Sequence, residues 1–408
     1  MRILSLICIL IGLVLCQKES LQWYPLKNEK FLGTSEIPLS GSTRANPTGF
    51  ARSSLIEAGG RLFIFGGVRE CATYIQSNDT CLNQYPEVLY IYYYDLELQA
   101  WFKKRISGPT PAPRTLQNAV SYGGTIYMYG GAFYNNYQSP FIIFDDFWRH
   151  SSGGNTWTAL SKSPGPRFGH GMVSIDDGYI YLGFGGSRIN ETVESNLKND
   201  LWMYNILLNT WTLLVPNDPF NTSIPAVRYD CNMEYNRDHH AIILHGGRNV
   251  ITETNITVDQ IPVRSVFDTW IYYIDTNEWK VLIPDGPSFE PVFSSISGTF
   301  GNIFYIAAGE TLDQNSCINV NNSVLLPAGM KHKAVNNLYA YEFGERGSIF
   351  RELKPESNII PTVMAASTAV GKKIYAWGGF NLVCPNGQSL INYPTSIWEF
   401  QMNPNQPN

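Results

Sequence analysis

The chain has 408 residues, 44% apolar, 13% aromatic and only 15% charged, with a formal net charge of -5. That length and apolar content can bury a sizeable core, which excludes disorder and coiled coil as the organising principle. The sequence has no basic run and no phosphate-cradling glycine loop ending in Lys-Ser or Lys-Thr, so no nucleic-acid partner is expected.

The N-terminus reads as an address. Arg2 supplies a positive start, Ile3 to Leu15 is a short apolar stretch, and Val14 and Cys16 are small residues at the usual cleavage positions. The expected signal peptide is 1–16, leaving 17–408 as the mature protein. The apolar stretch is too short for a stable bilayer span, and the C-terminal Asn-Pro-Asn-Gln-Pro-Asn is polar, so no membrane span is expected. The expected localisation is secreted, or the lumen of the secretory pathway.

Beyond the address, an apolar run ends in a glycine pair or its remnant six times: Phe65-Gly66-Gly67, Tyr129-Gly130-Gly131, Phe184-Gly185-Gly186, His245-Gly246-Gly247, Ala308-Gly309 and Trp377-Gly378-Gly379. The recurrence, roughly every 60 residues, is too long for one hairpin and too short for a domain, so each unit predicts one small sheet. In the third unit the expected strands are 168–175, 179–184, 200–205 and 210–214, with Asp176-Asp177-Gly178 as the first turn. A second register repeats with one spacing in Trp148 and Trp157, Trp202 and Trp211, and Trp270 and Trp279, and is kept by Tyr92 with Trp101 and Tyr341 with Phe350.

These residues resemble the kelch family of β-propellers, whose repeat carries a glycine pair after strand two, then an aromatic, then a Trp opening strand four. The resemblance covers nearly all of the mature chain, with departures at Ala308-Gly309 and at Phe350. It implies an all-β fold whose blades pack through the Trp side chains. Burying one such ring removes about 150–250 Å² from water. Strand-four signatures occur at Trp157-x-x-Leu160, Trp211-x-x-Leu214, Trp279-x-x-Leu282 and Phe350-x-x-Leu353, and the aromatic alone is kept at Trp101. The sixth unit has no strand four after Trp398-Glu399-Phe400, but Trp23-Tyr24-Pro25-Leu26 repeats the signature near the N-terminus. The expectation is therefore a six-bladed kelch-type β-propeller whose last blade is closed by the N-terminal strand, 21–27. Closure hides a sheet edge, and Pro25 is tolerable on an outer strand.

In a four-stranded meander, the connection after strand two and the blade-to-blade connection leave on one face. Four sequons, at Asn78, Asn190, Asn255 and Asn321, fall after strand two, and Asn221 falls between blades, which places all five glycosylation candidates on that face. The same face receives Cys71, Cys81, Cys317 and Cys384. Cys71 with Cys81 is the favoured pair by proximity along the chain, and Cys317 with Cys384 by adjacency of blades, while Cys71 or Cys81 with Cys384 stays open. Cys231, at the start of an inner strand, reads as a buried free thiol, with an intermolecular disulfide as the alternative.

Arginine placement is the main functional lead. Arg114, Arg167 and Arg228 precede strand one of blades two, three and four, and Arg69, Arg188 and Arg248 follow glycine pairs on the same face. Two readings compete: six guanidinium groups converge on an anion-binding channel mouth, or those before strand one bond neighbouring carbonyls and lock the blades. Some kelch propellers that capture acidic peptides carry comparable arginines, so the resemblance implies a protein partner with an acidic segment; an anionic glycan is the other ligand the arginine mouth would suit. No cofactor and no metal is expected; Asp238-His239-His240 with His245 lacks an evident third ligand. The alternative is a sugar-active enzyme resembling the sialic acid mutarotase type, with Glu70, Glu191 or Glu253 as base. The preferred expectation is a non-enzymatic recognition module, binding either at the arginine mouth or on the sequon-free face.

Overall fold

The computed structural model describes residues 23–26, 42–44, 49–69, 84–135, 141–161, 164–187, 197–250, 263–285, 292–313, 331–335, 337–344, 347–353, 363–383, 390–392 and 396–402. Six of the sheets they form are arranged as the blades of a propeller, each an antiparallel meander at its core, and four two-stranded ribbons follow glycine turns beside them. Blade three is typical. Its strands are Gly171–Ser174, Tyr179–Gly183, Leu201–Asn205 and Thr210–Val215, paired in sequence order. The first strand is shorter than 168–175 because Phe168 and Gly169 belong to the turn that enters the channel.

The ring closes as expected. Trp23–Pro25 lies antiparallel on Ile397–Gln401, with Trp23 opposite Phe400 and Pro25 opposite Trp398. Trp23 is buried against Phe400, ring centres 5.2 Å apart, in the cluster between blades five and six. Two outer edges carry an additional strand: Ser42–Arg44 pairs with Ala100–Arg105 of blade one, and Pro284–Asp285 runs parallel to Gly347–Leu353 of blade five. Both come from blade-to-blade connections, a use that the repeat pattern does not reveal.

The glycine pairs hold blades together. The second residue donates its N–H across the gap: Gly67 to the Arg114 carbonyl (3.0 Å), Gly131 to Arg167 (2.7 Å), Gly185 to Arg228 (2.8 Å), Gly247 to Val292 (3.3 Å) and Gly379 to Phe50 (2.9 Å). The first residue must therefore approach a neighbouring carbonyl in left-handed backbone. At Gly130 (φ 61) an added Cβ would lie 2.5 Å from the Arg167 carbonyl oxygen. Blade three shifts this register, because its pair is Phe184-Gly185 rather than Gly185-Gly186, with Phe184 at φ 64 and Gly186 bridging Phe168. Gly130→Ala is expected to cost about 2–4 kcal/mol by chemical denaturation. Ala308→Gly, at the equivalent position with φ 53, is expected to be neutral or slightly stabilising.

The two Trp of each register do different work. Trp157, Trp279 and Trp101 open strand four and are buried between blades, facing His150, Tyr272 and Tyr94 across the turn. Trp148, Trp202 and Trp270 instead turn their indole N–H onto a carboxylate two residues earlier.

Candidate functional site

Strand one of each blade forms the inner wall, and the segment leading into it forms the channel mouth. In each blade one residue of that segment has left-handed backbone: Arg52, Leu116, Gly169, Asp230, Ser294 and Met364, with φ between 50 and 59. Their backbones link blade to blade, Arg52 N–H to the Met364 carbonyl (3.0 Å), Leu116 to Arg52 (3.2 Å), Gly169 to Leu116 (2.9 Å), Asp230 to Gly169 (2.8 Å) and Ser294 to Asp230 (3.0 Å). The mouth is thus rimmed by hydrogen-bonded main chain carrying six chemically different positions.

The arginines singled out in the sequence lie just outside this rim and do not open onto it. Arg114, Arg167 and Arg228 are buried, each against one carboxylate of its own blade. Arg114 holds Asp146 at 2.5 and 2.8 Å and the Gly130 carbonyl at 2.9 Å. Arg167 holds Asp200 at 2.7 and 2.6 Å and the Phe184 carbonyl at 2.8 Å. Arg228 grips Asp268 through both terminal nitrogens and the Gly246 carbonyl at 3.2 Å. The same carboxylates accept Trp148, Trp202 and Trp270. Each lock therefore ties the strand-one entry, the glycine turn and strand three together, and the anion mouth drawn from these three arginines is corrected to a set of blade locks. The physical reason is that a fork of donors beside a fixed carboxylate is already satisfied.

Arg248 is likewise buried, paired with Asp230 and sandwiched by Tyr229 and Phe293 at 4.7 and 4.4 Å. It too leaves the mouth. Arg69 is half-buried and exchanges backbone hydrogen bonds with Gln84. Arg188 lies outside the described residues, as do Cys71, Cys81, Cys317 and Cys384, the sequons at Asn78, Asn190, Asn255 and Asn321, and Glu70, Glu191 and Glu253. Asn221 is exposed in the connection from blade three to blade four, its side-chain oxygen accepting the Ser223 N–H at 2.9 Å. Cys231 is a half-buried free thiol just before its strand, and burial pushes it up to about 12.

Sequence reasoning missed the acidic partners and the true rim. Asp146, Asp200 and Asp268 each stand two before a Trp, a signal legible in the repeat. Among the described residues Arg52 stands on the rim itself, where its guanidinium donates to the Tyr134 hydroxyl at 2.9 Å and meets the Met364 sulfur at 2.8 Å. The histidine cluster is dispersed: His240 faces Asp275 at 2.8 Å and Asp177 at 3.5 Å, whereas His245 is buried on the Thr269 hydroxyl at 2.8 Å. Among the described residues no set of three or more His, Cys, Asp or Glu is arranged to hold a metal.

Behind the rim runs a channel of about 690 Å³, reaching from Ser53 and Cys231 to Arg237, Asp238, Gly301 and Gly371 on the short-turn face. Its polar groups stitch neighbouring blades: Ser174 to the Ser121 carbonyl (2.7 Å), Asn118 to the His170 carbonyl (3.1 Å), Asn232 to the Ser295 carbonyl (2.8 Å) and Thr299 to the Tyr235 carbonyl (2.8 Å). Glu234 accepts from the Ser297 hydroxyl at 2.7 Å, and burial pushes its carboxyl up to about 7.

These shifts set an expected pH profile. Burial alone would raise Asp146 and Asp268, but the facing arginines outweigh it and hold both below the ordinary carboxylate range. Their stabilisation is present above the unfolded value near 3.8 and is lost as pH falls through the folded values. Buried His170 and His245, lowered to about 3, also favour unfolding as acid charges the unfolded chain below pH 6.5. Glu234 acts oppositely: its unfolded carboxyl ionises near 4.5 and its folded one near 7, so stability declines as pH rises through that interval. Glu234→Gln is expected to remove that decline, seen as a flatter neutral limb in urea midpoints between pH 5 and 7.5.

Comparison with known proteins agrees with this architecture. Residues 53–309 match the model of the KLHDC2/KLHL20/DRC7 Kelch-repeats domain. Host cell factor 2 of Homo sapiens is 25% identical over 59% of this chain and 30% of its own length. The leucine-zipper-like transcriptional regulator 1 homolog of Drosophila melanogaster is 25% identical over 64% of this chain and 24% of its own. Rho GTPase-activating protein gacHH of Dictyostelium discoideum is 26% identical over 44% and 11%. The chain thus spans less than a third of the length of these curated relatives. Among solved structures, that of YjhT superposes with a TM-score of 0.57 at 13% identity, covering 85% of this chain and 95% of that one, a likeness of fold.

Proposed function

The chain belongs to the kelch-repeat family, whose propellers typically serve as protein-interaction modules, and from that premise we propose that it works as a secreted or lumenal recognition module rather than as an enzyme. One observation carries the proposal: the rim of Arg52, Leu116, Gly169, Asp230, Ser294 and Met364 is main chain tied blade to blade by five hydrogen bonds, with a different residue contributed by each blade. Main chain tied in this way keeps the ordering cost of binding low, and the differing residues supply specificity. The channel supports binding over chemistry, because its hydroxyl and amide groups are engaged with one another across blades.

For an acidic segment or anionic glycan, the supported candidate in place of the buried locks is Arg52, half-buried among the rim residues. The secretory route is proposed from the N-terminal apolar stretch and the five sequons, of which Asn221 is exposed. A pull-down from the secretory fraction tests the module. Arg52→Ala is expected to weaken capture of the partner at least tenfold at low salt, a gap that narrows as added salt weakens wild-type capture, while Leu207→Asp, on the sequon-free face at 91% exposure, leaves it intact. The reverse pattern would move the site to the short-turn face. Peptide N-glycosidase treatment of protein from secreting cells should lower its apparent mass, and Asn221→Gln should remove one step of that shift.

A further inference from the structure

Glu234 is out of place in its repeat. At the same distance past the rim residue, the other blades carry Ile56, Val120, Val173, Gly298 and Thr368, all uncharged. In blade four the position faces Ser297 of blade five, and the carboxyl lines the channel. One of its oxygens takes the Ser297 hydroxyl at 2.7 Å, and Ser297 is itself held by Asn232 at 2.7 Å. A stitch between blades needs only a neutral acceptor, as the Asn232 pairing with Ser295 shows. A carboxyl exceeds that need.

The charge around it is sparse. Strand one of blade five offers Ser297 and Thr299, that of blade three Met172 and Ser174, and that of blade six Ser367 and Thr368. Among the channel-lining residues the other charged groups are Arg237 and Asp238, at the short-turn end, and Arg237 is paired with Asp176 at 2.7 Å through two nitrogens. A lone carboxyl in a low-dielectric wall is costly to ionise without a countercharge. A cation entering the channel would supply one, drawn in by Asp238 and by the net charge of -5. The volume of about 690 Å³ lies within the range of small-molecule sites. Ser174, Ser297 and Thr299 donate their hydroxyl protons within the wall, to Ser121, Glu234 and Tyr235, and their oxygens can still accept, which favours a ligand rich in O–H and N–H donors.

We propose that the central channel is a binding site for a small hydroxylated amine, with the Glu234 carboxylate as its counter-ion and the strand-one hydroxyls of blades three, five and six as its polar lining. Binding ionises the carboxyl and releases its proton to solvent where it was protonated, so affinity rises with pH up to neutrality. The site is independent of the rim and needs no partner protein.

Glucamine and its uncharged analogue sorbitol test this on the full chain by calorimetry. Glucamine is expected to bind at least tenfold more tightly than sorbitol, and to weaken by about tenfold per unit as pH drops well below 7. Glu234→Gln keeps an acceptor for Ser297 and is expected to lose glucamine affinity at least tenfold with no fall in melting temperature, and a rise near neutral pH. The wild type supplies a second measurement that depends on no variant: in a carboxyl titration followed by NMR, saturating glucamine should lower the Glu234 midpoint. Equal binding of glucamine and sorbitol, undiminished binding by folded Glu234→Gln, no glucamine binding at millimolar concentration, or an unmoved titration midpoint would each overturn the proposal.

Discussion

Arg167→Ala is expected to destabilise the propeller by about 3–5 kcal/mol, the cost of leaving one member of a buried pair uncompensated. Asp200 would remain buried with only the Trp202 indole N–H as a strong donor, at 2.9 Å, and the Phe184 carbonyl would lose its guanidinium donor. That carbonyl belongs to a residue held at φ 64, so the lock also restrains a strained turn. Urea unfolding monitored by tryptophan fluorescence measures the loss. The double variant with Asp200→Ala should cost less than the sum of the singles, with a coupling of about 1–3 kcal/mol. Additivity would show that the pair holds nothing together. Binding by the rim should survive in the folded fraction, because the Arg167 guanidinium faces Asp200 rather than the channel mouth.

Trp23→Ala should lower stability by a similar amount, about 3–5 kcal/mol, through the cavity left between blades five and six. Trp23 is buried with Ile374, Phe400 and Met402, and its strand supplies the outer edge of blade six. Loss of that strand exposes the backbone of Ile397–Gln401 and opens the ring at its seam, so a fall in unfolding cooperativity should accompany the shift in midpoint. The neighbouring Tyr24 is 46% exposed, and Tyr24→Ala is expected to stay within about 0.5 kcal/mol. Equal effects from the two substitutions would mean that the strand contributes only main-chain pairing. Differential scanning calorimetry of both variants decides between these outcomes.

The two variants probe different kinds of information. Trp23 carries a signature repeated down the chain, and the sequence alone was enough to assign it to the last blade. Arg167 is equally visible, yet the sequence leaves its role open between lock and anion site, because the deciding partner, Asp200, lies in another strand. The D-x-W spacing at Asp146, Asp200 and Asp268 was present in the sequence but meaningless until strand three was seen to run beside the glycine turn. Arg52 and Asp230 escaped notice for a different reason. They occupy the rim by virtue of a left-handed backbone that here is held by hydrogen bonds between blades rather than by a local turn.

What the sequence by itself determined was the all-β class, the six blades and the closure of the last by the N-terminal strand, since glycine turns and strand-four aromatics are local requirements repeated in every blade. Only the tertiary structure decided that the three arginines before strand one are locks, that blade three shifts its glycine pair by one residue, and that a single glutamate sits in an otherwise uncharged stretch of channel wall. Local periodicity reports which face of a strand is buried; it carries no record of which donor meets which acceptor once six sheets close into a ring. That pairing depends on angstrom-scale distances between residues far apart along the chain, and it is what separates an open cationic mouth from a set of satisfied ion pairs.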